Sequence, residues 1–293
     1  MEPLAFRSIL VPVDGSASAE AALRLAVRLA APDGEVVLAH VIHRAEIVAE
    51  CVTPYGGNPT PALDALESDE RDIFTASQAV ARQAGIRSST APLDGPPADC
   101  IADFARQRGV DAIAMGTHGR RGIARIVLGS TAAGVLHHAA VPTFVCHEQN
   151  VDTAAAPFRH ILVGLDASPA ARSAAQAAVD LAKRDGSSVL FAYVDEGRDA
   201  LAEQRARVQA QAYAAAAGVS SDTAVLQGDP VDALLVAAET CHAGLIAIGA
   251  HGGKHTLFGM GSIAEAIVRT SSVPVLVQPL PAVLATSPQV AHA

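Results

Sequence analysis

Residues 112–145 read AIAMGTHGRRGIARIVLGSTAAGVLHHAAVPTFV, and their order decides the fold. The apolar run from Ala112 to Met115 stops at Gly116, as a parallel strand buried on both faces does. Gly116-Thr117-His118-Gly119 follows, then nine residues, then Gly129-Ser130-Thr131 opening a helical segment that ends before Val141-Pro142. Glycine lets a backbone come close to another group, and the first N–H groups of a helix have no partner within it. Those N–H groups lie at the positive end of the helix dipole and attract anions such as phosphate. The spacing G-x2-G-x9-G-[ST] therefore has two readings. Either the glycine turns bracket a phosphate chain, with a serine hydroxyl as a further donor, or they are tight turns after a strand.

The stretch recurs as LIAIGAHGGKHTLFGMGSIAEAIVRTSSVPVLV over residues 245–277. Working outward, FRSILVPV (Phe6 to Val13) is a strand pattern ending at Asp14-Gly15-Ser16, where Ser16 or Ser18 caps a helix. A second strand runs from Glu35 to Val41, a helix from about Asp64 to Ala84, and a third strand from Ile86 to Leu93. Pro96 then starts a helix reaching Arg108. Residues 42–63 are rich in proline and glycine, have no counterpart later, and read as a surface loop. After a polar, alanine-rich segment the order restarts at His160–Leu165 and Asp166-Ala167-Ser168. Strands alternating with helices imply an α/β fold, with a doubly wound parallel sheet in each half and helices on both faces. The expected layout is a domain over 1–147, a linker over 148–157, a second domain over 158–280 and a tail over 281–293. Right-handed crossovers bring the loops after the first and fourth strands to one carboxyl edge, placing Asp14 beside the Gly116 loop.

Both halves resemble universal stress protein domains, and the chain resembles a tandem member of that family. The resemblance implies a Rossmann-like sheet of order 3-2-1-4-5 in each half and an ATP site in the first. Pro12, Val13 and Val41 match positions on the adenine and ribose side. Met115, Gly116, Gly119, Gly129, Ser130 and Thr131 match positions around the phosphates, and His118 and Arg120 lie among them in the candidate site. Asp14 would accept from a ribose hydroxyl or hold Mg²⁺ through water; its alternative is an Asx turn or helix cap. Arg120, Arg121 and Arg125 would offset phosphate charge or form a solvated basic face. His118 reads as a loop-shaping hydrogen bonder, with general base as the alternative.

The second half matches at Asp166, Val194, Ile248, Gly249, Gly252, Gly261, Ser262 and Ile263. There Gly164 replaces the proline, Lys254 is the strong cation of the loop, and eight residues instead of nine separate Gly252 from Gly261. ATP is therefore expected in the first half, and weakly or not at all in the second.

Composition narrows the classes. Half the residues are hydrophobic, only 3% are aromatic and Trp is absent, so small aliphatic side chains must build the core. A net charge of −9 with no basic stretch argues against nucleic acid. The opening MEPLAFRSIL lacks a signal-peptide pattern, and no apolar run is long enough to span a bilayer, so a cytoplasmic protein without membrane contact is expected. Four scattered cysteines with no CxxC suit a reduced compartment. There is no GxxxxGK[ST] and no GxSxG, and the adjacent His137 and His138 have poor metal-ligand spacing. The leading expectation is a stress-response module that binds ATP, with or without Mg²⁺, and changes shape or partners. The alternatives are a slow ATP-hydrolysing or nucleotidyl-transferring enzyme and a nucleotide-free dimerisation scaffold. The want of a paired acid and base near the phosphates argues against fast chemistry.

Each half ends in a Val-Pro strand, Thr143 to Cys146 and Val275 to Gln278, and a last strand leaves an open sheet edge. The resemblance implies pairing of the two halves through these fifth strands, with a homodimer as a further step. A linker of roughly ten residues gives each half a high effective concentration for the other. Separately expressed halves are expected to associate on size-exclusion chromatography. Failure to associate, with two independent domains in the scattering of the full chain, would remove the pairing.

Overall fold

Ile9, Leu10 and Val11 are consecutive and wholly buried, which requires cover on both faces of their strand. A computed structural model of the chain, describing residues 6–51, 57–119, 128–151, 154–195, 200–250 and 260–279, supplies that cover. Strand β1 (Phe6–Pro12) leads through helix α1 (Ala17–Leu29) to β2 (Ala30–Ile42). Helices α2 (Arg44–Cys51) and α3 (Thr60–Gln83) precede β3 (Arg87–Asp94). Then come α4 (Pro97–Arg108), β4 (Ala112–Gly116), α5 (Ser130–His138) and β5 (Thr143–Cys146). These strands lie parallel in the order β3-β2-β1-β4-β5. The order reverses between β1 and β4, and such a switch point opens a crevice at the carboxyl ends of the strands.

The second half repeats the plan with β6 (His160–Leu165), α6 (Pro169–Asp185), β7 (Ser188–Val194), α7 (Ala200–Ala217) and β8 (Ser221–Leu226). It closes with α8 (Pro230–Thr240), β9 (Leu245–Gly249), α9 (Ser262–Thr270) and β10 (Val275–Gln278), in the order β8-β7-β6-β9-β10. Each half therefore has the 3-2-1-4-5 order and parallel pairing that the resemblance implies. By internal contacts the described residues divide into two units, 6–156 with 268–274, and 157–267 with 275–279.

Alanine makes the helices thin. In α1 the buried set includes Ala19, Ala22, Leu25, Ala26 and Leu29, the spacing of one helical face. In α6 the buried set includes Ala170, Ala171, Ala174, Ala175, Ala178 and Ala182. Small side chains let both helices lie close to the sheet, while Phe144 and Phe191 are among the largest fully buried side chains.

Three local readings change. The stretch read as a surface loop contains α2 and the first turn of α3. Helix α2 buries no residue, so it carries no apolar period to read; its start is held by the Asp94 carboxylate on the Arg44 N–H and by an Arg44–Glu67 ion pair at 3.1 Å. Strand β2 begins at Ala30, earlier than Glu35, because its register jumps between Phe6–Ala30 and Ser8–Glu35. Gly34 makes the jump feasible: a Cβ there would lie 2.9 Å from the Phe6 carbonyl oxygen. The segment read as a linker opens with a 3₁₀ turn, Glu148–Asn150, in which Asn150 is buried. Residues 52–56 and the expected tail, 281–293, lie outside the described residues.

Among the described residues no helix is long and apolar enough to cross a membrane. Ile113→Ala, deep in β4, is expected to lower unfolding stability by about 2–5 kcal/mol in urea titration. Val225→Ala, on a half-exposed edge-strand position, should cost less than about 0.5 kcal/mol. Equal losses would mean that burial at the sheet centre does not carry the fold.

Candidate functional site

β1 and β4 end side by side, and the loops after them turn over the same edge. After β1, Gly15 takes a left-handed φ of +77°, which brings Ser16 back onto Asp14. The Ser16 N–H and hydroxyl both donate to Asp14 Oδ1, at 3.0 and 2.6 Å, while Ser16 Oγ accepts from the Ala19 N–H and caps α1. Asp14 thus forms the Asx turn that the sequence left as its alternative role. Ser18, buried in the first turn of α1, donates its hydroxyl to the His118 carbonyl oxygen at 2.6 Å. A hundred residues apart in sequence, the two loops are fastened to each other there.

The glycines after β4 are required for room. A Cβ at Gly116 would lie 2.4 Å from Ser18 Oγ, and one at Gly119 would lie 2.5 Å from Asp14 Oδ2. One at Gly129 would lie 2.9 Å from the Thr117 carbonyl oxygen, which instead accepts the Gly129 N–H at 2.9 Å. Gly129 has extended backbone (φ −61°, ψ 146°) and no side chain with which to cap α5. The first bond within α5 runs from the Ala133 N–H to the Gly129 carbonyl. The N–H groups of Ser130, Thr131 and Ala132 therefore begin the helix without a partner inside it, the arrangement that binds anions.

On the other flank, Pro12 and Val41 are partly exposed and Met115 is buried. Both backbone groups of Val13 are engaged: its N–H with the Ala39 carbonyl at 2.8 Å, and its carbonyl with His40 Nδ1 at 2.6 Å. The carbonyl must accept, so His40 carries a hydrogen on Nδ1. The His40 ring also stands edge-on to Phe74 of α3, centroids 6.3 Å apart. Arg120, with Arg121 and Arg125, lies outside the described residues. Among the described residues no group of three His, Cys, Asp or Glu side chains is placed to hold a metal.

The second half rebuilds much of this edge. Asp166 Oδ1 accepts the Ser168 N–H at 3.0 Å, and Ser168 Oγ caps α6 through the Ala171 N–H. The Gly261 N–H donates to the Ala250 carbonyl at 2.7 Å, and the Glu265 N–H to the Gly261 carbonyl at 2.9 Å. These are the same anchors as Gly129–Thr117 and Ala133–Gly129. The shorter loop therefore leaves the α9 start in register with its strand; the missing residue falls within 251–259, which with Gly252 lies outside the described residues. What does differ is the fastening. Ala170 occupies the place of Ser18 and offers no hydroxyl, and Ala167 takes a left-handed φ of +64° where the first half has glycine. Arg172, matching Glu20, reaches the Ala167 carbonyl at 2.7 Å. Val194 and Ile248 are buried, while Asp166, Ser262 and Ile263 are exposed.

The sequence reading missed His40, and it considered Ser18 only as a cap. The signal for Ser18 was available, since the repeat sets it against Ala170.

A family model described as the universal stress protein family matches residues 5–147 and 157–279. A universal stress protein of Mycolicibacterium smegmatis is 30% identical over 295 residues, covering 92% of this chain and 96% of its own. One of Methanocaldococcus jannaschii is 30% identical over 146 residues, 48% of this chain and 81% of its own. The crystal structure of a universal stress protein from Archaeoglobus fulgidus superposes with a TM-score of 0.72 at 25% identity, covering 93% of this chain and 96% of that one.

Ser18→Ala is expected to cost about 1–3 kcal/mol, because the His118 carbonyl loses its buried donor. Hydrogen exchange at the amides of residues 117–119 should quicken with it. Unchanged exchange would show that the fastening does not hold the loop.

Proposed function

The chain belongs to the universal stress protein family, and on that premise we propose that its first half binds an adenine nucleotide, ATP foremost, as a nucleotide-dependent stress-response module. The observation that carries the reading is the uncapped start of α5, bonded through Gly129 to Thr117 of a loop that the Ser18–His118 bond fastens to α1. The N–H groups of Ser130 and Thr131 and the Ser130 hydroxyl are the donors for the phosphates. Asp14 Oδ2, on the side facing Gly119, is the acceptor for a ribose hydroxyl. Pro12, Val41 and Met115 form the apolar flank for the base, and Val13 shapes the strand end through its engaged backbone. Arg120 adds positive charge. With Asp14 the carboxylate the proposed site supplies, a Mg²⁺ would be bound mainly by phosphate oxygens and water, which is its usual habit. Among the described residues the same geometry offers no acid–base pair to speed phosphoryl chemistry, and binding rather than turnover is the function proposed. The second half has the helix start without the fastening, and its site is proposed to be weaker.

A proline at the first position of α5 tests the donors. Gly129 already has the backbone that precedes a proline, and proline is tolerated at a helix start, so Ser130→Pro removes one N–H and one hydroxyl while keeping the helix. Gly129→Asp would add like charge but also drive a Cβ against the Thr117 carbonyl, which confounds it. Calorimetric titration with ATP should give one site per chain, and Ser130→Pro should weaken it by between about ten- and a hundredfold. Ser262→Pro should leave it unchanged. No binding, two equivalent sites, or equal loss from both variants would overturn the reading.

A further inference from the structure

The Gly116–Gly119 loop is wired to the residue after β5. The Thr117 N–H donates to the Cys146 carbonyl at 2.9 Å, and the Thr117 hydroxyl lies between two imidazoles. His118 Nδ1 is 3.1 Å from it and His147 Nδ1 is 3.4 Å from it. Thr117 and His147 are both buried. At the far side of its ring, His147 Nε2 lies 2.9 Å from the Val268 carbonyl oxygen. A carbonyl only accepts, so Nε2 carries the hydrogen and the neutral ring leaves Nδ1 bare. The Asn150 backbone N–H also faces this ring, as suits a bare nitrogen. The bare Nδ1 takes the Thr117 hydroxyl hydrogen; the Thr117 oxygen is then an acceptor, and His118 Nδ1 must donate to it. His118 Nε2, which is shielded from solvent and has no hydrogen-bond partner, is left as an acceptor. The opposite tautomer would bury an orphan N–H, the rarer and costlier defect.

We propose that His147, acting through the Thr117 hydroxyl, holds His118 in the Nδ1–H tautomer and so fixes Nε2 as a hydrogen-bond acceptor on the loop. In this form Nε2 suits a hydroxyl or a water as its partner. His147 and Thr117 are thus positioning residues for His118.

Burial holds the His147 pKa below the ordinary histidine value; the bond to Val268 opposes this and the neighbouring His118 adds to it. His118 is the titratable group that acts on it; Arg28 of α1 acts on the neighbouring Cys146, and Glu148 and Arg269 follow His147 and Val268 in the sequence. His147 is therefore neutral, with Nδ1 bare, at pH 7 and above. Because the folded value lies below the unfolded one, the stability His147 contributes is complete above about pH 6.5 and is lost as pH falls through the folded pKa.

The proposal concerns the loop assigned to the nucleotide, but the tautomer is a property of the empty protein, so either idea can fail without the other. The test is two-bond ¹H–¹⁵N correlation of the histidine side chains in the full-length protein, with His118→Gln and His147→Gln for assignment. At pH 8, His118 should show Nδ1 protonated and Nε2 bare, the reverse of the form imidazole favours in water, and His147 should show Nε2 protonated. Thr117→Val should release His118 to the Nε2–H form at pH 8, and Thr117→Ser, which keeps the hydroxyl, should not. If Thr117→Val does not fold, the tautomers of the unaltered chain at pH 8 decide alone. A His118 already in the Nε2–H form at pH 8 would overturn the proposal.

Discussion

The carboxyl end of β4 passes so close to the first turn of α1 that position 116 has no room for a side chain. The same constraint recurs in the second half, where a Cβ at Gly249 would lie 2.7 Å from the Ala171 backbone nitrogen. The fastening of the loops depends on this close approach, since Ser18, which a Cβ at 116 would meet, is the residue bonded to His118. Gly116 therefore serves first to let a helix and a strand touch. Any ligand role of the loop is built upon that contact.

The composition explains how such an approach is sustained. With few aromatic residues and no tryptophan, α6 buries mostly alanine and α1 buries alanine with leucine and valine, and their backbones can lie near the strand ends. Both halves have this geometry, and they part over single groups. Ser18 supplies a buried hydroxyl to the His118 carbonyl where Ala170 supplies none. The Asp-Gly-Ser turn of the first half is relaxed, whereas Ala167 holds a left-handed conformation that costs a non-glycine residue about 1–2 kcal/mol. A tandem pair of one fold can differ in binding through such details without altering its sheet.

The alternation of strands and helices was legible because the buried strands are unbroken apolar runs ending at glycine or aspartate, as at Gly116, Gly249, Asp14 and Asp166. The repeat made the reading firm, since turn chemistry alone does not reproduce a whole strand–loop–helix–strand order twice. Helix α2 was not legible, because a helix that buries nothing has no hydrophobic period. The early start of β2 was hidden by Pro32 and Gly34, residues that usually end a strand and here mark a close backbone approach. At the candidate site, Gly119 and the Gly129–Thr131 helix start were picked out by spacing and Asp14 by the repeat and the resemblance; the structure sets Asp14 beside Gly119 and bonds Gly129 to Thr117. His40 and His147 were not found, because each acts through one long-range bond to a backbone carbonyl and leaves no pattern along the chain.

The central claim is that this edge of the first half is a nucleotide site and that its counterpart is weaker. Native mass spectrometry of the full-length protein, purified gently and without added nucleotide, addresses it most directly. The account predicts a population carrying one adenine nucleotide per chain, released on denaturation and identified by its own mass. Protein that carries none and takes up none when ATP is added, or that carries two with equal readiness, would contradict it.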